Sequence, residues 1–210
     1  YSTRRVYDRT LSGGNVSITA GTDETFAAYS SDNFILVDKS TGDYVDLAGK
    51  VTRSGSPTGK TITFTLGGSY TNEDVRVITT VQKTSSAANK KTKTLVSDTT
   101  LDFTSNVAAQ ATSLSLGQAD IYTVKSIKMS SNAFGTAYST SGELDITSRY
   151  NIDNGQRITH YDIGSVTLKA NQPKPTGPVR ITYDYFTHSS GDYFSVDSYT
   201  IVDDDAAAAL

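Results

Sequence analysis

Residues 173–199 read PKPTGPVRITYDYFTHSSGDYFSVDSY, and the interpretation of this stretch decides the fold class of the chain. Apolar and polar residues alternate from Val179 to Tyr185, with the two-residue period of a half-buried β-strand. Positions 189–192 hold Ser, Gly and Asp, which are common where a backbone reverses direction. We therefore predict two strands that are joined as a hairpin by a turn containing Gly191.

The alternative interpretation of this stretch is a hydrolytic site, since His188 lies beside Ser189 and Asp192 in the sequence. A triad needs the histidine within hydrogen-bond reach of both the nucleophile and the orienting acid. Such groups usually come from distant parts of a chain, and residues crowded into one tight turn rarely meet this requirement. The turn is therefore favoured, and we assign no catalytic residue.

The same alternation recurs in both halves of the chain. In residues 60–66 the side chains of Ile62 and Phe64 fall on one face, and residues 73–81 and 165–169 repeat the pattern. Turn residues separate these segments, and Thr, Ser and Gly fill the space between short apolar clusters. This arrangement predicts many short strands and hence an all-β protein.

Two segments depart from simple alternation. The apolar pattern of residues 121–129 changes phase between Val124 and Ile127, which predicts a β-bulge. Residues 105–119 are the nearest approach to a helical pattern, and we expect a helical turn there.

The length of 210 residues is enough for one large domain or two of about 100 residues each. A Pro-Thr-Gly triplet at 57–59 and another at 175–177 each precede an alternating segment, which forms a weak internal repeat. We predict two tandem β-sandwich domains of the immunoglobulin or fibronectin III type. The first covers residues 1–97 and the second residues 98–203, and residues 204–210 form a tail or linker.

Charge and composition exclude several functions. Residues 1–97 have a net charge of +3 and residues 98–210 one of −6, so neither half is basic enough to favour nucleic acid as a partner. The basic run at 89–93 (NKKTK) is interpreted as a solvated strand. Without cysteine the chain has neither disulfides nor a thiolate zinc site. We expect no membrane partner and no cofactor.

Residues 143–166 contain most of the candidate metal ligands. Asp145, Asp153, Asn154 and Asp162 offer the oxygen atoms that calcium prefers, but without the spacing of an EF-hand loop. Arg157 could instead pair with Asp153 or Asp162 and lock the loop, and this interpretation is favoured. His160 has no histidine at ligand spacing, so we assign no metal site.

Thirteen tyrosines and no tryptophan are unusual for a chain of this length. Tyrosines that alternate along strands bury their rings and leave their hydroxyl groups wet, which is the favoured interpretation. Exposed tyrosines beside Asp and Asn could instead form a platform for a glycan or a protein, and Tyr150, Tyr161 and Tyr193 are the candidates.

Several phrases of the sequence resemble segments of large virion structural proteins from tailed bacteriophages. The phrases are DNGQR (153–157), YDIGSVTLK (161–169) and DYFTHSSGDYFSVDSY (184–199). The similar proteins belong to the tail, baseplate or fibre region, especially in contractile-tailed phages of cyanobacteria and other aquatic hosts. In the first half, SSDNFIL (30–36) and VTRSGSPTGKTITFTL (51–66) resemble the β modules found upstream in such proteins.

The resemblance implies a β-sandwich building block without an active site. Its expected partners are other copies of itself and other virion structural proteins, in a homo-oligomer for which threefold symmetry is one expectation. The expected location is the virion, and the chain is expected to be a processed chain or a piece of a longer one. The alternative function is a surface adhesin or carbohydrate-binding module for host attachment; we predict that the chain is not an enzyme.

Overall fold

A computed structural model of the protein describes residues 1–54, 59–84 and 87–200. The fold is all-β, as the sequence predicts. The strands are Ser2–Thr10 (β1), Asn15–Thr19 (β2), Glu24–Phe26 (β3), Phe34–Asp38 (β4), Val51–Ser54 (β5), Thr61–Thr65 (β6), Asp74–Lys83 (β7), Lys93–Phe103 (β8), Ser113–Ala119 (β9), Ile121–Met129 (β10), Leu144–Asp145 (β11), Tyr150–Asp153 (β12), Ile163–Leu168 (β13), Val179–His188 (β14) and Tyr199–Thr200 (β15).

Helical structure is confined to short pieces in the described residues. One helical turn, Asn106–Ala109 (α1), begins after Ser105, whose hydroxyl oxygen accepts a hydrogen bond from the Ala108 N–H at 3.1 Å. Three 3-10 turns cover Gly68–Tyr70, Thr147–Arg149 and Val196–Ser198. The helical turn expected within residues 105–119 is therefore present, but residues 113–119 of that segment form β9.

The chain forms two compact units. Of the described residues, unit 1 contains Tyr1–Lys91 together with Ser190–Phe194, and unit 2 contains Thr92–Ser189 together with residues 195–200. The predicted boundary between residues 97 and 98 lies inside β8, because the first half of β8 already pairs with β14 of unit 2. Residues 204–210, the predicted tail, lie outside the described residues.

Unit 1 contains two antiparallel sheets. In the first, β7 is central: β1 pairs with one of its edges, and β3 and β4 share the other. The second sheet has the order β2–β6–β5. One buried cluster draws on both sheets: Leu11, Val16, Ile18, Ala20, Phe26, Phe34, Leu36, Val45, Leu47, Ile62, Phe64, Leu66, Val75, Val77 and Val81.

Unit 2 repeats this connectivity. Its central strand β14 lies between β8 and β10, with β11 beyond β10 and β15 beyond β8, and its second sheet has the order β12–β13–β9. The core again draws on both sheets: Ala109, Leu114, Leu116, Ile121, Val124, Ile127, Ile146, Tyr150, Val166, Val179, Ile181 and Tyr183. Two-layer packing of this kind is expected of a sandwich; the immunoglobulin or fibronectin III type stays a prediction.

The two Pro-Thr-Gly triplets do not mark equivalent positions of this repeat. Gly59 precedes β6, whereas the second triplet precedes β14, which corresponds to β7. Residues 55–58 lie outside the described residues. Glycine is required at position 177 for a local reason, since a Cβ atom there would lie 2.4 Å from the Ser130 carbonyl oxygen.

The predicted hairpin after β14 is wrong. β14 already has β8 on one edge and β10 on the other, so no edge remains for the chain that follows it. Instead β15 pairs in parallel with the start of β8. Gly191 belongs to the short segment that completes unit 1.

Other local predictions are confirmed. Ile62 and Phe64 are buried, and Val75, Val77 and Val81 share their buried face with Thr79. The register of β10 against β14 shifts between Val124 and Ser126, where the bulge was predicted, and it shifts again between Ile121 and Thr123.

We expect Phe64→Ala to destabilise unit 1 by about 4 kcal/mol, because the Phe64 ring is fully buried between the two sheets and its loss leaves a cavity. The free energy of unfolding, measured by denaturant titration, tests this. Thr65→Ala, at the next and exposed position of the same strand, should change it by less than about 0.5 kcal/mol. Equal effects of the two substitutions would contradict the described orientation of β6.

Candidate functional site

A group of buried polar side chains in unit 2 begins at a sharp corner of the backbone. β9 belongs to one sheet and β10 to the other, and Asp120 alone connects them. Its φ of 52° is in the left-handed region, which Asp tolerates better than most residues. The Asp120 carbonyl oxygen accepts the Phe186 N–H at 3.0 Å, so the corner is held against β14.

Lys93 and His188 bring their side chains to the Asp120 carboxylate. They are opposite each other in register, Lys93 as the first residue of β8 and His188 as the last of β14. The Lys93 Nζ atom lies 2.7 Å from Asp120 Oδ2, and the His188 Nε2 atom lies 2.6 Å from the same oxygen. The Gln156 side-chain amide donates to Asp120 Oδ1 at 2.9 Å. Both carboxylate oxygens are therefore hydrogen-bonded.

Aromatic rings surround the Lys93 ammonium group. Nζ lies 4.3 Å from the centre of the Tyr161 ring and 4.9 Å from that of Tyr199, and it donates to the Tyr161 hydroxyl oxygen at 2.7 Å. The Tyr161 ring also contacts His188 edge to face at 4.7 Å. The side chains of Lys93 and Asp120 are each only 1% exposed. The ion pair is thus enclosed.

The ionic contacts overcome the cost of burial. Burial alone raises the pKa of Asp120, but the hydrogen bonds from His188, Lys93 and Gln156 outweigh it and hold that pKa below its ordinary value. Burial alone lowers the pKa of Lys93, and the bonds to Asp120 and Tyr161 raise it above the usual value. Both groups are charged at neutral pH, as a paired buried ion is expected to be.

This cluster does not present the geometry of a serine hydrolase. The neighbouring Ser189 Oγ accepts the Thr92 N–H at 2.8 Å, so it is engaged with the backbone of β8. The acid near His188 is Asp120 and not Asp192, which belongs to unit 1. The site can hold charge away from water, but its enclosed amine is not open to an external substrate.

Sequence reasoning missed Asp120 and misjudged Lys93. The prediction that the basic run 89–93 is solvated is wrong for Lys93, which is the most deeply buried cation of the described chain. The available signal was an aspartate between the buried Ala119 and Ile121, where a strand pattern calls for an apolar or neutral residue. The local sequence pattern does not indicate which residue pairs with Asp120.

A second buried ionic cluster holds the segment 190–194 within unit 1. The Asp192 carboxylate contacts the Arg5 guanidinium at 2.5 Å and Lys83 Nζ at 3.3 Å. It also accepts the Tyr1 hydroxyl and the Asn89 N–H, both at 2.7 Å. Burial alone raises the pKa of Asp192, but these donors outweigh it and hold that pKa well below its ordinary value.

The loop that carries the candidate calcium ligands is locked by Arg157. Its guanidinium binds Asp153 through two bonds of 2.9 and 2.7 Å and approaches Asp162 at 3.5 Å, as the favoured interpretation predicted. Hydrogen bonds from the Arg157 side chain lower the pKa of Asp153. Asp145 and Asn154 accept backbone N–H groups of nearby residues instead of converging with them. Within the described residues, no three His, Cys, Asp or Glu side chains are placed to share a metal ion.

The proposed tyrosine platform is not formed. Tyr150 is only 4% exposed and belongs to the core of unit 2. Tyr161 covers the Lys93 ammonium group, and Tyr193 belongs to unit 1. Three residues with such different surroundings do not make one flat binding surface.

No protein-family profile, no curated protein and no solved structure matches the chain. In the described part of the chain, no helix is long and apolar enough to cross a membrane.

We expect Asp192→Asn to lower the free energy of unfolding by about 3 kcal/mol at pH 7, because Lys83 loses its buried counter-charge and Arg5 keeps only Glu24. The folded-state pKa of Asp192 is below that of an unfolded carboxyl, which is about 4. The stabilisation is therefore present above that pH and disappears as the pH falls towards the folded-state value.

The measurement is denaturant unfolding of both proteins between pH 7 and pH 2, where the difference between the two curves should shrink towards the acid end. Asp32→Asn, at an exposed loop position, is the control and should follow the parent protein throughout. A difference that stays constant with pH would show that the Asp192 charge does not carry the effect.

Proposed function

We propose that the chain is a non-enzymatic structural module of a tailed-phage virion. In this proposal it is a β building block of a tail, baseplate or fibre protein, and it assembles with neighbouring copies of itself and with other virion proteins. The resemblance of residues 153–199 to such proteins suggests this class.

The observation that carries the proposal is that the two buried carboxylates are each paired within their own unit. The carboxylates of Asp120 and Asp192 are each surrounded by donors from their own unit, and their contacts join strand ends to loops. Such clusters favour one packing arrangement of a β module over alternatives, because a partly paired buried charge is costly. They support a rigid building block more than a reactive centre.

The charged groups that line an open depression in unit 1 are also paired within that unit. It is lined by Asp8, Arg9, Thr10, Lys39 and Asp74. Asp8 accepts two hydrogen bonds from Arg76, at 2.8 and 2.7 Å, and lies 3.6 Å from Lys39. Thr10 donates to Asp74 at 2.6 Å. These polar groups pair across neighbouring strands, which supports a role in holding β1 to the sheet.

The test is mass spectrometry of purified particles of the phage that encodes the chain. Peptides of this sequence should be present at a multiple of the level expected for a single copy per particle, because a module of the tail region is repeated by symmetry. Peptides that occur only in the lysate and never in particles would overturn the proposal.

A second measurement separates the structural function from an enzymatic one. The purified chain and its His188→Ala variant should show the same background rates on ester, peptide and glycoside substrates, because the enclosed cluster offers no open nucleophile. Turnover that the His188→Ala substitution abolishes would contradict a non-enzymatic role.

A further inference from the structure

We propose that Lys93 and Asp120 react with each other to form an intramolecular isopeptide bond between the Lys93 Nζ atom and the Asp120 Cγ atom. The inference goes beyond the proposed function and does not rest on it. It follows from the environment of this one ion pair, which differs from every exposed lysine–carboxylate pair of the described chain.

The first requirement of such a reaction is that the two groups are held together without competing partners from solvent. Nζ and Oδ2 are 2.7 Å apart, and each side chain is 1% exposed. The backbone of Lys93 is fixed by pairing with both His188 and Tyr199, and Asp120 is fixed at the corner between the two sheets. Intramolecular reactions between groups held in this way gain a large effective concentration.

The second requirement is a neutral amine and a neutral acid. Transfer of one proton from Nζ to Oδ2, along their existing hydrogen bond, converts the ion pair into this neutral pair. Burial favours the neutral form of both groups, whereas their mutual contact favours the charged form and prevails in the resting state. The reactive form is therefore a minor population, and the bond is expected to form slowly after folding.

The third requirement is stabilisation of the intermediate. When Nζ attacks Cγ, negative charge develops on Oδ1, where the Gln156 amide already donates from 2.9 Å. The C–Oδ2 bond then breaks, and His188 Nε2 lies 2.6 Å from the departing oxygen, placed to stabilise it. In total Nζ loses two protons and Oδ2 gains both, so an ammonium and a carboxylate become an amide and one water molecule. No oxidant, reductant or further reactant is needed.

The contrast with exposed pairs is direct. Lys125 contacts Asp98 at 2.8 Å, nearly the same distance, but its side chain is 39% exposed and that of Asp98 is 73% exposed. Water solvates both charges there and keeps the neutral pair rare. Lys125 is therefore the matched control for a reaction that depends on enclosure.

The experiment is the intact mass of the purified full chain, followed after refolding. The mass should fall by one water molecule below that of the sequence. In a tryptic digest, cleavage after Lys93 should be lost, and residues 92–125 should appear as one internally cross-linked peptide that is one water molecule lighter than its linear sequence. The Lys93→Arg and Asp120→Ala variants should keep the full mass, and Lys125→Arg should still lose water.

The roles of the Gln156 and His188 side chains are tested by the rate at which the mass falls. Gln156→Ala should slow the reaction by about 100-fold, the usual effect of removing a donor to a developing oxyanion. His188→Ala should slow it as well. An unchanged rate in both variants would refute the chemistry assigned to them.

The intact mass of the parent protein tests the proposal even if a variant fails to fold. A folded parent chain that retains its full mass after prolonged incubation overturns it. A water loss that maps to a linear peptide elsewhere, such as cyclisation at another aspartate, overturns it equally. Neither result bears on the presence of the chain in virions, so the two proposals can fail separately.

Discussion

Each unit depends on one strand whose two edges are both occupied. β7 in unit 1 and β14 in unit 2 are ten residues long and lie between neighbours on either side. Because a strand has only two edges, every other element must pair elsewhere or leave the sheet. The absence of a hairpin after His188 follows from this constraint, and β15 pairs instead with the other edge of β8.

The constraint also explains which features the sequence predicts. Alternation and phase changes are local properties, so the buried faces of β6 and β7 and the bulge after Val124 could be predicted from nearby residues. The partner of a strand is not local. The residues after His188 have the composition of a hairpin, but β14 has no free edge to accept them. The Pro-Thr-Gly triplets do not mark equivalent strands for a related reason, since a turn motif can precede any strand of a repeat.

The candidate site could not be predicted, because its members become neighbours only through the corner at Asp120. Lys93 stands in a run of basic and threonine residues that is typical of an exposed strand. Its burial depends on an aspartate 27 positions away and on rings contributed by Tyr161 and Tyr199. A left-handed residue at a sheet-to-sheet connection carries no signature in the sequence apart from the tolerance of Asp for that conformation.

Segment 190–194 has a consequence for the order in which the protein is made. A ribosome delivers the chain from its first residue, so Arg5 and Lys83 emerge long before Asp192, which binds them in the finished unit. Most of unit 2 is synthesised in between. Domains often fold one after another as they leave the exit tunnel. Here the earlier unit remains unfinished while residues 92–189 of the later unit are synthesised, and its ionic cluster closes only after them.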